Sequence, residues 1–242
     1  MCTVSFVSAG NKKIITSNRD ENIQRETAAA PAVEMINGHK IIFPKDAKAG
    51  GTWFAASEQG LITVLLNGAF VKHIPKPPYR KSRGLVLLEI ITAPQTLSYF
   101  TAANLHEIEP FTVVLYSEGN LLELRWDGER TYQKKLDREG NYIWSSSTLY
   151  TDEVISYRKK LFEQFIEDTK DPDEELIHQF HAGNNRDEEN GFVINRKTGM
   201  KTFSITQAIS SRDEIDFNHT DLLKQQRFKE TMHISNRLVN HK

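Results

Sequence analysis

Strand signals and helix signals come in blocks along this sequence instead of alternating, and no other feature limits the fold as much. Apolar or alternating runs at 3–7, 13–16, 40–43, 52–56 and 61–66 are each bounded by Gly, Asn or Pro. Ser82 then stands as an N-cap before Leu85, Leu88 and Ile91 on one helical face; Ala93-Pro94 stops that helix, and a second is predicted over 94–103. Strand signals return at 111–116, 121–126, 131–136 and 141–145. Helices are predicted over 152–167, with Val154, Tyr157, Leu161 and Phe165 recurring, and over 172–181, which opens on Pro172. A last hairpin is predicted from 192–195 and 201–208 around Lys197-Thr198-Gly199. Parallel neighbours need a crossover, usually a helix, between successive strands, and here strand mostly follows strand. The expectation is an α+β protein of packed antiparallel sheets with helices outside.

Two segments depart from this pattern. Residues 72–81 hold Pro75, Pro77 and Pro78 and predict an ordered, irregular loop. From Asn218 the chain turns polar, with thin apolar periodicity at Leu222, Leu223, Phe228 and Met232. The expected organisation is one domain over 1–217, followed by a polar C-terminal tail or peripheral helix over 218–242.

Composition excludes several function classes. Among 242 residues, 31 Lys+Arg balance 32 Asp+Glu, which gives no electrostatic ground for binding nucleic acid or an anionic membrane. One cysteine cannot build a disulfide framework or a multi-cysteine zinc site, so a reducing compartment is expected. The longest apolar run, 85–91, is far short of the ~20 residues of a membrane span and carries Glu89. The start, MCTVSFVSAGNKK, lacks a secretory leader's basic and apolar regions. A cytoplasmic protein without a membrane span is expected.

That single cysteine is Cys2, directly behind Met1. Removal of Met1 would leave an α-amine and a thiol on one residue, a nucleophile with its own base. The alternative is a small apolar side chain closing the first strand. The hairpin around Ala9-Gly10-Asn11 returns Ser17-Asn18-Arg19-Asp20-Glu21-Asn22 beside residue 2. There Asp20 is suited to hydrogen-bond an ammonium, and Arg19 to favour a thiolate or grip a carboxylate. A charged turn after an edge strand is the plainer alternative.

Met1-Cys2-Thr3 followed by Asn18-Arg19-Asp20-Glu21 resembles the pattern that names the NRDE family (transport and Golgi organisation protein 2-like). Gly50-Gly51-Thr52-Trp53, Leu65-Leu66-Asn67-Gly68, Ser82-Arg83-Gly84 and 145–149 are similar to further family motifs in the same order. The resemblance runs from residue 2 to about residue 208. It implies an N-terminal nucleophile (Ntn) hydrolase fold, a four-layer αββα sandwich, and kinship with choloylglycine and penicillin V amidases. In those relatives the second strand ends in Arg-Asn-x-Asp; here Asn18 and Asp20 match, while Ser17 replaces the arginine. Their late oxyanion asparagine falls near Ser146, which leaves Asn67 as the amide able to line an oxyanion hole.

The implied function is a cysteine amidohydrolase cleaving a linear amide or related acyl bond of a small molecule, with no metal or organic cofactor. Its catalytic residues would be Cys2, Asp20, Arg19 and Asn67, with Asn18, Trp53 and Ser146 touching substrate. The alternative is a non-catalytic cytosolic protein that binds or traffics an acyl or other hydrophobic metabolite. Of the remaining residues, His178 and His181 have the i, i+3 spacing of metal ligands but lack a third. Lys76, Arg80, Lys81 and Arg83 form a basic cluster with Tyr79, either a solvated loop or an anion clamp. His39 and His73 are expected in loops, at the surface or on a pocket rim, and His219, His233 and His241 in solvent.

Overall fold

The opening hairpin forms as its alternation dictates: β1 (Thr3–Ala9) pairs with β2 (Lys12–Asn22) from Ala9↔Lys12 to Thr3↔Asn18. Gly10 makes the turn at φ 55°, a left-handed conformation that costs glycine least. The computed structural model describes residues 3–235. Along β1, Val4 and Phe6 enter one apolar core while Val7 enters another, and in β2 Ile15 and Ile14 divide the same way. Both faces of these strands are buried, so their apolar residues divide between two cores and polar ones such as Ser5 and Asn18 must find partners inside.

The second sheet is built from β3 (Ala32–Ile36), β4 (His39–Phe43), β5 (Phe54–Ser57), β6 (Ile62–Asn67), β7 (Phe111–Ser117), β8 (Asn120–Trp126) and β9 (Thr131–Leu136), neighbours in chain order. The first sheet has the order β10-β1-β2-β11-β12-β13, where β10 is Tyr142–Ser145, β11 is Met200–Ser210, β12 is Glu214–Asp221 and β13 is Gln226–His233. All pairings are antiparallel. Val4, Phe6, Phe54, Val64, Val114 and Phe217 fill the space between the sheets. Leu65, Leu87, Ile91, Phe100 and Val113 pack α1 (Arg83–Thr92) and α2 (Thr96–Ala102) on the outside of the second sheet. Val7, Ile14, Phe162, Ile177 and Ile209 do the same for α3 (Asp152–Thr169) and α4 (Glu174–Ala182) on the first. The result is the expected four-layer αββα order.

Helix boundaries follow local chemistry. Ser82 Oγ accepts from the Leu85 amide, Thr151 Oγ1 from Val154 and Asp173 Oδ1 from Leu176, each satisfying a donor that the first turn leaves open. Ala93 is extended before Pro94, which ends α1. The first turn of α1 lies so close to the chain at 51–52 that a Cβ on Gly51 would sit 2.4 Å from the Gly84 carbonyl carbon. A Cβ on Gly84 would meet the Thr52 carbonyl oxygen at 2.7 Å. This contact fixes Ser82 and Arg83 beside Trp53.

Two expectations are corrected. The polar segment from Asn218 is neither tail nor helix: residues to 233 complete β12 and build β13, and 236–242, including His241, lie outside the described residues. In β12, Ile215, Phe217, His219 and Asp221 are buried in strict alternation, but two of the four are polar, so an apolar scan finds no period. Residues 192–195 form no strand; Asn195↔Lys201 is a lone bridge, and Phe192 and Ile194 pack as fully buried loop residues. The edge strand β3 was unsignalled because Val33 and Met35 point outward and are exposed. Among the described residues, no helix is long and apolar enough to cross a membrane.

Candidate active site

Thr3 opens β1 between Asn18 of β2 and Ser145 of β10. Cys2 lies outside the described residues, but the groups around the start of the strand are described. Those on the helix-facing side begin with Asp20, 1% exposed, whose two oxygens accept from Tyr150 Oη and Thr202 Oγ1, each at 2.6 Å. Burial first, and then the charge of Asp20, push the Tyr150 phenol well above its usual range, so it keeps its proton and donates.

Asn18 on the same face is fully buried and its amide is engaged: Nδ2 donates to the carbonyls of His181 and Phe192, at 2.9 Å and 3.0 Å. Its Oδ1 therefore accepts from His181 Nδ1, and His181 Nε2 accepts from Ser5 Oγ at 2.7 Å. Asn18 thus locks α4 to β1 and β2 and has no polar atom left for substrate, contrary to expectation. His181 is likewise no metal ligand, and His178 Nε2 bonds Thr220 Oγ1 at 3.1 Å. Among the described residues, no group of His, Cys, Asp and Glu is placed to hold a metal ion.

The face between the sheets carries Arg19, which is 2% exposed. Arg19 Nη2 donates to Asp46 Oδ2 at 2.7 Å, and the guanidinium lies 4.2 Å from the centroid of the Trp53 ring. Asp46 also accepts from Arg25 Nε and Nη2 and from the Lys48 and Ala49 amides. Burial alone would raise the Asp46 carboxyl. The hydrogen bonds of Arg25 and the Ala49 amide, with the charges of Arg25 and Arg19, more than offset this and hold it below the usual carboxylate range. Trp53 is an interior wall: with Arg25, Asp46, Ser82 and Arg83 it lines a cavity of about 90 Å³. Its Nε1 and Arg19 Nε have no hydrogen-bond partner among the described residues.

Beyond β10, Ser146 is buried and its hydroxyl donates to the Asn67 carbonyl at 2.8 Å. The Asn67 side-chain oxygen is buried without a partner among the described residues. Arg19, Trp53 and Asp46 thus flank the start of β1 on its β2 side, and Ser146 with Asn67 on its β10 side. A cavity of about 340 Å³ opens next to Ser146, lined by Val71, Lys72, Ser147, Thr148, Tyr150 and Asp152, large enough for a small molecule. A larger one, about 710 Å³, lies at the far end of the sheets beside Gly10, Lys13 and Arg138. The basic cluster is largely engaged within the protein: Arg83 pairs with Glu109 at 2.9 Å, Lys81 with Glu89, and Arg80 donates to the Asn104 and His106 carbonyls.

Sequence reasoning missed Asp46, Tyr150, Arg158, Thr202 and His219. Arg158 carried a usable signal, since it sits at i+4 from Val154 and i−3 from Leu161 on the apolar face of its helix. His219, expected in solvent, is 5% exposed and its Nδ1 bonds Thr206 Oγ1 at 2.8 Å. Burial, helped by the charges of His178 and Arg158, depresses His181 to about 3; burial likewise depresses His219 to about 4, against the opposing charge of Asp221. Both fold neutral, whereas an unfolded histidine takes up a proton below ~6.5. The unfolded chain therefore binds more protons than the folded one between that value and the folded pKa values, and stability is lost as the pH drops through this window. Unfolding by urea should show a loss of ~2–3 kcal/mol between about pH 7.5 and about pH 5.5, roughly half of it removed by His219→Gln. A flat profile above about pH 5 would contradict neutral burial of the two rings.

The family model for Transport and Golgi organisation 2 matches residues 1–212. No curated protein matches the chain. Among solved structures, it is similar to a mutant of the conjugated bile acid hydrolase from Clostridium perfringens, at 12% identity and a TM-score of 0.56, covering 99% of this chain and 100% of that one. It is also similar to the Caenorhabditis elegans ortholog of N-acylethanolamine-hydrolyzing acid amidase, at 10% identity and a TM-score of 0.59, covering 85% and 92%. Penicillin V acylase from Agrobacterium tumefaciens aligns at 10% identity and a TM-score of 0.50, covering 96% and 86%. What these structures share with the chain is the fold, two packed antiparallel sheets with helices outside.

Proposed function

The chain belongs to the Transport and Golgi organisation 2 family, and from that membership and the geometry above we propose that it is a cysteine amidohydrolase cleaving a linear amide or related acyl bond of a small molecule. The observation that carries this reading is the polar shell gathered around the start of β1. One peptide bond joins Cys2 to Thr3, the residue that opens β1. With Met1 removed, the α-amine takes the thiol proton, the thiolate attacks the substrate carbonyl, and a tetrahedral oxyanion forms. Asn67 and backbone amides hold that charge. The amine returns the proton to the leaving nitrogen as the C–N bond breaks, and water then releases the acyl group. Asp20 orients the amine, and Arg19, fixed by Asp46, adds positive charge on the other side. Substrate enters through the cavity beside Ser146 and Tyr150.

One observation favours a second reading. The Ser146 hydroxyl is engaged by Asn67 and Thr148, so it offers no donor where amidases carry an asparagine. A scaffold so trimmed suits a binder of acyl or other hydrophobic metabolites. A panel of N-acyl amides, incubated with the wild type and Cys2→Ala, separates the two. The hydrolase reading expects amine release by the wild type only, with Cys2→Ala still binding. Equal binding by both proteins, with no release by either, would instead support the binder.

A further inference from the structure

Tyr150, Arg158 and Thr202 form a buried group that the reaction scheme above leaves unused, and it converges on Asp20. Arg158 reaches from α3 and is 1% exposed. Its guanidinium lies 3.7 Å from the centroid of the Tyr150 ring. It donates through Nη1 to Thr3 Oγ1, through Nη2 to the Gly191 carbonyl and through Nε to the Asn190 carbonyl at 3.1 Å. Buried charges are normally paired, yet among the described residues no salt bridge ties Arg158 to a carboxylate. Its positive charge therefore bears on the phenol it covers, and through that phenol on Asp20. Arg196 stands 5.1 Å from the same ring, adding a second cation.

We propose that Tyr150, backed by Arg158, is a positioning residue that aims Asp20 at the N-terminal amine and sets how tightly that carboxylate holds the amine's proton. The inference rests on the N-terminal nucleophile reading, which supplies the amine. A phenol that donates to Asp20 draws carboxylate charge away from the ammonium, so the ammonium releases its proton at lower pH. Arg158 strengthens that donor and also repels the ammonium directly, in the same direction. Removing either should let the amine keep its proton to higher pH. The other groups near Asp20 are Thr202 from β11, which donates to it, and Arg19 and Glu21 from its own strand; His181 from α4, neutral, bonds Asn18 on the same face. Arg19 sits on the opposite face, bound to Asp46.

Cys2 is the only cysteine, so iodoacetamide alkylation followed against pH reads one thiol and needs no substrate. Thiol and amine titrate as a coupled pair, and the measured midpoint belongs to both. In protein shown by intact mass to lack Met1, Tyr150→Phe should shift that midpoint by about one pH unit. Arg158→Gln should shift it in the same direction, and Arg158→Lys, which keeps the charge, by less. A purely structural role would lower the unfolding midpoint without moving the titration. A folded Tyr150→Phe protein with the wild-type midpoint overturns the proposal, whether or not any amide is hydrolysed. Absence of amide hydrolysis with a shifted midpoint would fault the substrate reading and leave the relay standing.

Discussion

Replacing Asp46 with Ala is expected to destabilise the fold by about 3–5 kcal/mol, because it strands a buried cation as well as deleting a contact. Arg19 is 2% exposed and its 2.7 Å bond to Asp46 is its close ionic contact; Glu21 stands off at 3.9 Å. Arg25 is lost as a tether too, since its Nε and Nη2 both bind Asp46. Asp46 Oδ1 also caps the Lys48 and Ala49 amides, whose loss loosens the turn leading to Gly51 and the first turn of α1. Urea denaturation near neutral pH measures the total. Asp46→Asn, which keeps an acceptor but not the charge, should fall between wild type and Asp46→Ala. Replacing both Arg19 and Asp46 with Leu should recover much of the loss, because the stranded charge goes with its partner. A loss below about 1 kcal/mol for Asp46→Ala would mean that the pair behaves as a solvated surface bridge.

The contrast between Asp46 and its partners shows what the sequence could and could not disclose. Arg19 and Asp20 are legible because a two-residue turn at Gly10 fixes which residues return beside the start of β1. Capped helices and continuous apolar strands are legible for the same reason: their signals are local. Asp46 lies in an aperiodic loop, and only tertiary packing of the two sheets brings it under Arg19. Tyr150 and Thr202 reach Asp20 across 130 and 182 residues, distances at which one sequence offers no pairing information. His219 and Asp221 were hidden by being polar in a buried alternation, where interior hydrogen bonds replace apolar packing. Asn18 illustrates the opposite error: it matches a motif, yet the structure uses it to anchor α4.

The second large effect concerns Cys2 itself. An ordinary cysteine is only a few per cent thiolate near neutrality. A neighbouring amine acting as general base, held by Asp20 and Tyr150, should speed its acylation by roughly 10²–10⁴-fold over a free thiol. Retention of Met1 would bury that amine in a peptide bond and return the thiol to its ordinary rate. Cys2→Ala should abolish the reaction, since the chain contains no other thiol. The shell around the start of β1 would be unchanged in that variant, so the loss would report the nucleophile and not the fold.

Intact-mass analysis of the purified protein after exposure to a panel of acyl electrophiles, β-lactams among them, tests this most directly. The expected result is a chain lacking Met1 that gains one acyl mass on its first peptide, while Cys2→Ala gains none. A chain that retains Met1, or that stays unmodified at rates where free thiols already react, would contradict it.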